Sequence, residues 1–345
     1  MKRAFISGIT GQDGSLLAEL LLSKGYQVDG LVRRLSVPNR HNLGDIIGHN
    51  ALRLVEGDLE DSTRISGIIK EGQYDEVYNL GAMSFVHYSF TNPVQTAHTN
   101  YLGNVYLLDA IMRDSPGTKF YQASTSEMYG GVACPPDGYD ENSPFHPRSP
   151  YGIAKLAAYW NTRGMRDGYG IFACNGILFN HESPRRGSEF VTQKVAEGVA
   201  NVDAALKANI IPNPIQLGNL EAARDWGHAK DYVRGMYLIM QQGEPDDYVL
   251  ATGTVHTIRE LCEVAFDAAG WQLEWGCGGL SAYVRLGDGQ LMKVLETNSS
   301  HMRPTEVDRL LGNPAKARSI GWEPDYGFKS LIQEMVAEAI LRHGS

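Results

Sequence analysis

The stretch Ala4-Phe5-Ile6-Ser7-Gly8-Ile9-Thr10-Gly11-Gln12-Asp13-Gly14-Ser15-Leu16-Leu17-Ala18-Glu19-Leu20-Leu21-Leu22-Ser23-Lys24-Gly25 decides the fold. Ala4 to Ser7 is a short apolar run that reads as a strand. Glycines 8, 11 and 14 follow at once. From Ser15 to Lys24 the leucines 17, 20 and 21 recur at helical spacing, and Gly25 ends the pattern. Strand, glycine loop and helix together are the context a dinucleotide fingerprint needs. The glycines let the backbone approach a pyrophosphate, and the helix N-terminus supplies N–H donors and a positive dipole end.

Moving outward, Val28 to Val32 reads as the second strand and ends in Arg33-Arg34. An NAD site places an acid about there for the ribose 2'-hydroxyl, whereas two guanidinium groups suit a 2'-phosphate, so NADP is the expected cofactor. Leu52 to Val55 gives a third strand, with Asp58 placed to accept from an adenine amino group or to cap the next helix. Val77 to Leu80 is a fourth, and the small residues of Gly81-Ala82-Met83-Ser84 permit close approach of a cofactor. A helical stretch around Asn100 to Ile111 leads to a fifth strand, Phe120 to Ala123. This alternation predicts an α/β fold, a Rossmann-type doubly wound parallel sheet with a smaller α/β substrate-binding domain. The expected division is residues 1–178 for the cofactor domain and 179–345 for the substrate domain, with the chain returning to the sheet at about 217–252.

The fifth strand opens the segment richest in reactive groups. Ser124-Thr125-Ser126-Glu127 follows it, and continued extended geometry would put Thr125 and Glu127 on one face. Downstream, Ser149 is an expected N-cap and Pro150 a first helical residue, which starts a helix at Tyr151. Tyr151 and Lys155 are then four apart on one helical face. An ammonium beside a phenol lowers the phenol's pKa, and the pair reads as a general acid/base.

At 345 residues, 43% hydrophobic and 21% charged, the chain has an ordinary globular composition. No apolar run reaches the roughly 20 residues of a membrane span, and MKRAFISG lacks signal-peptide architecture, so a cytoplasmic protein is expected. Cysteines 134, 174, 262 and 277 are scattered, which argues for reduced thiols and against a metal site. A net charge of −9 argues against nucleic acid as a partner. Basic contacts for an anionic ligand must therefore be local. Candidates lie in Phe179 to Gly187 with Arg185 and Arg186, in a helix from Phe190 to Ala200 carrying Lys194, at Arg224, and in His301 to Glu306 with Arg303. Guanidinium groups there suit the convergent grip of a diphosphate. Thr257 to Ala269 reads as an amphipathic structural helix.

The motifs GITGQDGS (8–15), YNLGA (78–82), FYQASTSEMYG (120–130), PRSPYGIAK (147–155), NGILFNHESPRRG (175–187), RDWGHAKDYV (224–233), ATG (251–253) and MRPTEVD (302–308) occur in that order. With them the chain resembles the GDP-mannose 4,6-dehydratase family of the extended short-chain dehydrogenase/reductases over essentially its whole length. The resemblance implies a hydro-lyase that uses NADP to turn GDP-mannose into GDP-4-keto-6-deoxymannose, as in deoxysugar and GDP-fucose biosynthesis. It implies catalytic roles for Thr125, Glu127, Tyr151 and Lys155. It places the cofactor against Gly8, Thr10, Gly11, Gln12, Asp13 and Gly14, against Arg33, Arg34, Asp58 and Leu59, against Leu80, Gly81, Ala82 and Ser84, and against Tyr151, Lys155, His181 and Arg186. The GDP-sugar falls to Ser89, Glu127, Asn180, Val191, Lys194, Gly218, Arg224, Arg303 and Glu306.

The chain departs from the family in Met83-Ser84-Phe85, where Gln-Ser-His is usual, and in Gln95, where a tyrosine is usual. Phe85 falls near the expected hexose position, which keeps a related sugar such as a GDP-manno-heptose as an alternative substrate. A GDP-sugar 4-reductase or epimerase would need Tyr151 and Lys155 but not Glu127. The resemblance implies a homo-oligomer, a homodimer with a homotetramer as the alternative, because Leu35 to Asn50 is shorter than the family's subunit-bridging loop.

Overall fold

The computed structural model describes residues 1–36, 39–299, 307 and 309–344. Arg303 and Glu306, expected to meet the sugar nucleotide, lie outside the described residues. Seven parallel strands form the main sheet in the order β11-β6-β5-β4-β1-β2-β3. They are β1 (Arg3–Ser7), β2 (Gln27–Val32), β3 (Leu52–Glu56), β4 (Glu76–Asn79), β5 (Lys119–Thr125), β6 (Ala173–Leu178) and β11 (Asp247–Leu250). Strands β1, β2 and β3 are one residue longer than their apolar runs and β5 is three longer, because flanking polar residues still join the ladder, while β4 is shifted one residue toward the N-terminus.

Adjacent residues on these strands enter different cores. Ala4 and Ile6 face one cluster while Phe5 faces another; Tyr78 and Tyr121 join the first, Val77 and Phe120 the second. A sheet buried on both faces in this way needs helices on both sides. Helices α1 (Gln12–Ser23) and α8 (Ala229–Met240) pack together on one face. Helices α2 (Ser62–Gly72), α5 (Gly103–Asp114) and α6 (Pro150–Tyr169) cover the other. Short helices α3 (Val86–Thr91) and α4 (Pro93–Ala97) and a π-helical turn, His98–Leu102, precede α5. The helix expected from Asn100 therefore begins as a π-turn.

A second core joins α7 (Val191–Lys207), α9 (Ile258–Ala268) and α11 (Phe328–Gly344) to a sheet ordered β13-β14-β15-β8. Its strands are Leu273–Trp275, Ser281–Arg285, Leu291–Thr297 and Ile215–Leu217 respectively. Thr257 caps α9 with a capping box to Glu260. Between the lobes, β7 (Asn180–Glu182) pairs with β10 (Trp226–His228), and β9 (Ala223–Arg224) lies between β12 (His256–Thr257) and β16 (Arg309–Leu310). The helix α10 (Ala315–Ser319) completes the fold. No described helix is long and apolar enough to cross a membrane.

Candidate active site

A cavity of about 650 Å³ opens where the carboxyl ends of the main sheet meet the second lobe. This is the crevice position at which open α/β sheets bind ligands.

One end is a backbone cradle. Helix α1 begins at Gln12, earlier than leucine spacing alone indicates, and Gly11 caps it without any side-chain acceptor. Its first N–H groups are left for a ligand. Gly8 has φ +72°, and a Cβ there would stand 2.8 Å from the backbone of Gly81. A Cβ at Gly14 would stand 2.2 Å from the Gly8 carbonyl oxygen. Only glycine allows this fold-back. The hydroxyl of Ser7 ties the neighbouring turn down, accepting from the N–H groups of Leu80 and Gly81 at 3.1 and 3.0 Å and donating to Asn79 Oδ1 at 2.6 Å. From the π-turn, Asn100 clamps Met83: its Oδ1 accepts the Met83 N–H at 2.8 Å and its amide donates to the Met83 carbonyl at 3.1 Å. Thr10, Arg33, Asp58, Leu59, Ala82, Ser84 and Gln95 also line the cavity. Asp58 is not a helix cap, since Asp61 caps α2. The cradle fits a dinucleotide.

Next comes the reactive group of residues. Strand β5 runs to Thr125, and the chain then turns into a 3₁₀ turn, Ser126–Met128. The extended geometry thus ends before Glu127, and the Thr125 hydroxyl accepts the Glu127 N–H at 3.3 Å. Helix α6 starts as the local signals indicate, with Pro150 first and the Ser149 hydroxyl accepting the Gly152 N–H at 3.0 Å. A Cβ at Gly152 would stand 2.9 Å from the Glu127 carbonyl oxygen, so this glycine brings α6 against the turn. Lys155 Nζ lies 5.9 Å from the Tyr151 ring centroid and donates to the Ala123 carbonyl at 2.8 Å. Thr125, Glu127, Tyr151 and Lys155 all line the cavity.

Electrostatics here depart from the simple expectation. Burial pushes the Tyr151 phenol up to about 12; a hydrogen bond with Thr125 and the Arg186 charge pull it down, while Glu127 and Asp13 push it up. Burial drives the Lys155 ammonium down to about 8, opposed by Asp13. Desolvation is the largest cause of both shifts.

The second lobe closes the cavity with Asn180, His181, Arg186, Val191, Lys194, Gly218 and Arg224. Arg186 lies 3.5 Å over the Phe190 ring and pairs with the buried Glu182 at 3.1 Å. Burial lowers the Lys194 ammonium, as for a cation held ready for an anion in a partly closed site. Three expectations are corrected. Arg185 does not converge on a ligand: it donates to the Ser15 hydroxyl at 3.0 Å and pairs with Glu19 at 2.6 Å, fastening this segment to α1. Ser89 is buried, donates to the Val86 carbonyl at 2.6 Å and does not line the cavity, because the turn of α3 points it inward. Arg34 also lies off the cavity lining, exposed, one residue past the end of the wall that Arg33 reaches.

Residues 5–335 match the model of the GDP-mannose 4,6 dehydratase family. The chain belongs to that family. It is 47% identical to GDP-mannose 4,6 dehydratase 2 of Caenorhabditis elegans, with 98% of this chain and 89% of the relative aligned. With the human GDP-mannose 4,6 dehydratase the identity is 45%, over 96% and 90% of the two chains. Among solved structures, a dTDP-glucose 4,6-dehydratase of Streptomyces venezuelae superposes with a TM-score of 0.81 at 22% identity, covering 99% of this chain and 98% of that one, which shows the shared fold.

In this member of the GDP-mannose 4,6-dehydratase family, several lining residues escape sequence reasoning. Glu182, Glu189, Asn219 and Trp226 line the cavity yet carry no spacing signal. Ser7 and Asn100 shape it from behind through backbone contacts. For Phe190 a signal did exist, since it precedes the amphipathic pattern of α7 and caps it.

Proposed function

We propose that this chain is an NADP-dependent hydro-lyase that converts GDP-D-mannose to GDP-4-keto-6-deoxy-D-mannose and water. One observation carries the reading: the cavity presents a second acid/base, Glu127, beside the Thr125, Tyr151 and Lys155 group. A nicotinamide cofactor held by the Gly8 to Gly14 cradle would supply the acceptor for the carbon-4 hydride and its donor to carbon 6. Tyr151, as phenolate, takes the proton of the 4-hydroxyl, with Lys155 as the adjacent cation. Thr125 donates a hydrogen bond to the 4-oxygen and steadies its charge. The ketone at carbon 4 acidifies the hydrogen at carbon 5. Glu127 removes that proton and protonates the departing 6-hydroxyl, so water leaves. A proton from solvent, delivered to carbon 5, completes the product, and Tyr151 releases to solvent the proton it took from the 4-hydroxyl. Lys194 and Arg224 are the lining cations assigned to the GDP-sugar, with Arg186 on the cofactor side.

The test is a mass-spectrometric assay with GDP-mannose and catalytic NADP in heavy water. A product lighter by one water and labelled at carbon 5 is expected. Unchanged GDP-mannose alongside dehydration of a GDP-manno-heptose would overturn the substrate and leave the chemistry.

NADP rather than NAD is favoured by Arg33, which reaches the cavity at the end of β2 and has no ion-pair partner among the described residues. Arg33→Ala is expected to weaken NADP about 10- to 100-fold, the value of one charge-assisted contact, and to leave NAD binding unchanged in calorimetry. Equal loss for both cofactors would sink the assignment.

The chain acts as a homodimer in this reading. Ile153 and Trp160, seven residues apart on α6, expose 58% and 53% of their surface, an apolar stripe suited to a second copy. Sedimentation of the wild type as a dimer is expected, and a monomer would refute it. Free thiols at all four cysteines support a cytoplasmic setting.

A further inference from the structure

His181 has neither ring nitrogen free. Its Nδ1 lies 2.7 Å from the Phe179 carbonyl oxygen, which can only accept, and its Nε2 lies 2.7 Å from Asp13 Oδ2. Asp13 Oδ1 accepts from the Gln12 amide at 3.0 Å, which favours the ionised carboxylate. Both imidazole nitrogens must therefore donate, and that requires the imidazolium. The ring also stacks on Tyr232, with centroids 4.5 Å apart and planes 15° from parallel, a face that favours a cation. The contact joins α1 to β7 across 168 residues of chain, and two further bonds reinforce it: Gln12 donates to the His181 carbonyl at 3.0 Å and accepts from the Ser183 hydroxyl at 2.9 Å.

We infer that Asp13 holds His181 as a permanent imidazolium, a buried ion pair that ties the first turn of α1 to β7 at the wall of the cavity.

The charged and titratable groups around the pair act on it with both signs. Tyr151 and Lys155 on α6 feel Asp13, which pushes the phenol up and supports the ammonium. Tyr121 on β5 and Tyr232 on α8 feel it too, and burial keeps both phenols neutral. Arg186 faces the pair and favours the Asp13 carboxylate while opposing the imidazolium; Glu182 faces Tyr232. Burial opposes ionisation of both partners, yet their mutual attraction leaves the carboxyl of Asp13 below its usual range and the imidazole of His181 above its own.

Two measurements test this. In ring-¹⁵N-histidine spectra of the full chain, with His181→Gln for assignment, the His181 signals should remain those of a doubly protonated ring at pH 8, where ordinary histidines are neutral. A singly protonated ring at pH 7 overturns the inference. This arm needs no substrate, so it stands apart from the proposed reaction. In the same spectra of Asp13→Asn, the His181 ring should carry a single proton at pH 8, because burial alone disfavours its charge. A ring still doubly protonated at pH 8 in Asp13→Asn overturns the role of Asp13.

Discussion

Tyr151→Phe is expected to lower kcat by about 10²- to 10⁴-fold, the usual weight of a general acid/base, with GDP-mannose binding changed little. The hydroxyl is the only atom removed, and Lys155 keeps its bond to the Ala123 carbonyl, so the first turn of α6 has no reason to shift. The residual activity should also lose its dependence on the phenol. In the wild type, turnover needs Tyr151 deprotonated, and burial pushes the phenol up to about 12, so activity is expected to rise with pH. A Phe variant retaining a tenth of normal turnover, or one with an unaltered rising limb, would refute the role.

The second large effect belongs to Glu127. Glu127→Gln keeps the size of the side chain but cannot take a proton from carbon 5. We expect GDP-mannose and NADP to bind as before, with dehydration reduced about 10²- to 10⁴-fold and no deuterium entering carbon 5 from heavy water. Binding is measured by calorimetry and exchange by mass spectrometry. The two losses must occur together. Exchange at carbon 5 without loss of water would assign proton removal to another group and leave Glu127 only the leaving hydroxyl.

These two residues also show how far sequence reaches. Tyr151 and Lys155 were legible because a helix start is a local event. Ser149 and Pro150 supply a cap and a fixed φ, and a separation of four residues defines one helical face. Glu127 was legible by type and position, but not by direction. Alternation along a strand would align it with Thr125, whereas the chain leaves β5 after Thr125 and turns into a 3₁₀ turn. The Thr125 hydroxyl holds that bend by accepting the Glu127 N–H, and Gly152, more than twenty residues downstream, lets α6 pack against it.

The same division holds for the cofactor end and the second lobe. Strand, glycines and leucines between Ala4 and Gly25 determined the doubly wound fold and the cradle, because period, turn chemistry and the absence of a Cβ are properties of neighbouring residues. Arg185 and Arg186 are adjacent and chemically identical, yet one fastens to Glu19 on α1 and the other faces the cavity. His181 and Asp13 form an ion pair that neither motif contains alone. Burial reverses the expected pKa order of Tyr151 and Lys155, since desolvation depends on everything that surrounds a group. The sequence by itself determined the elements, the sheet and the types of reactive group. Tertiary structure alone decided which like residues face the ligand and what charge they carry, because contacts between distant segments and exclusion of water exist only once the chain has folded.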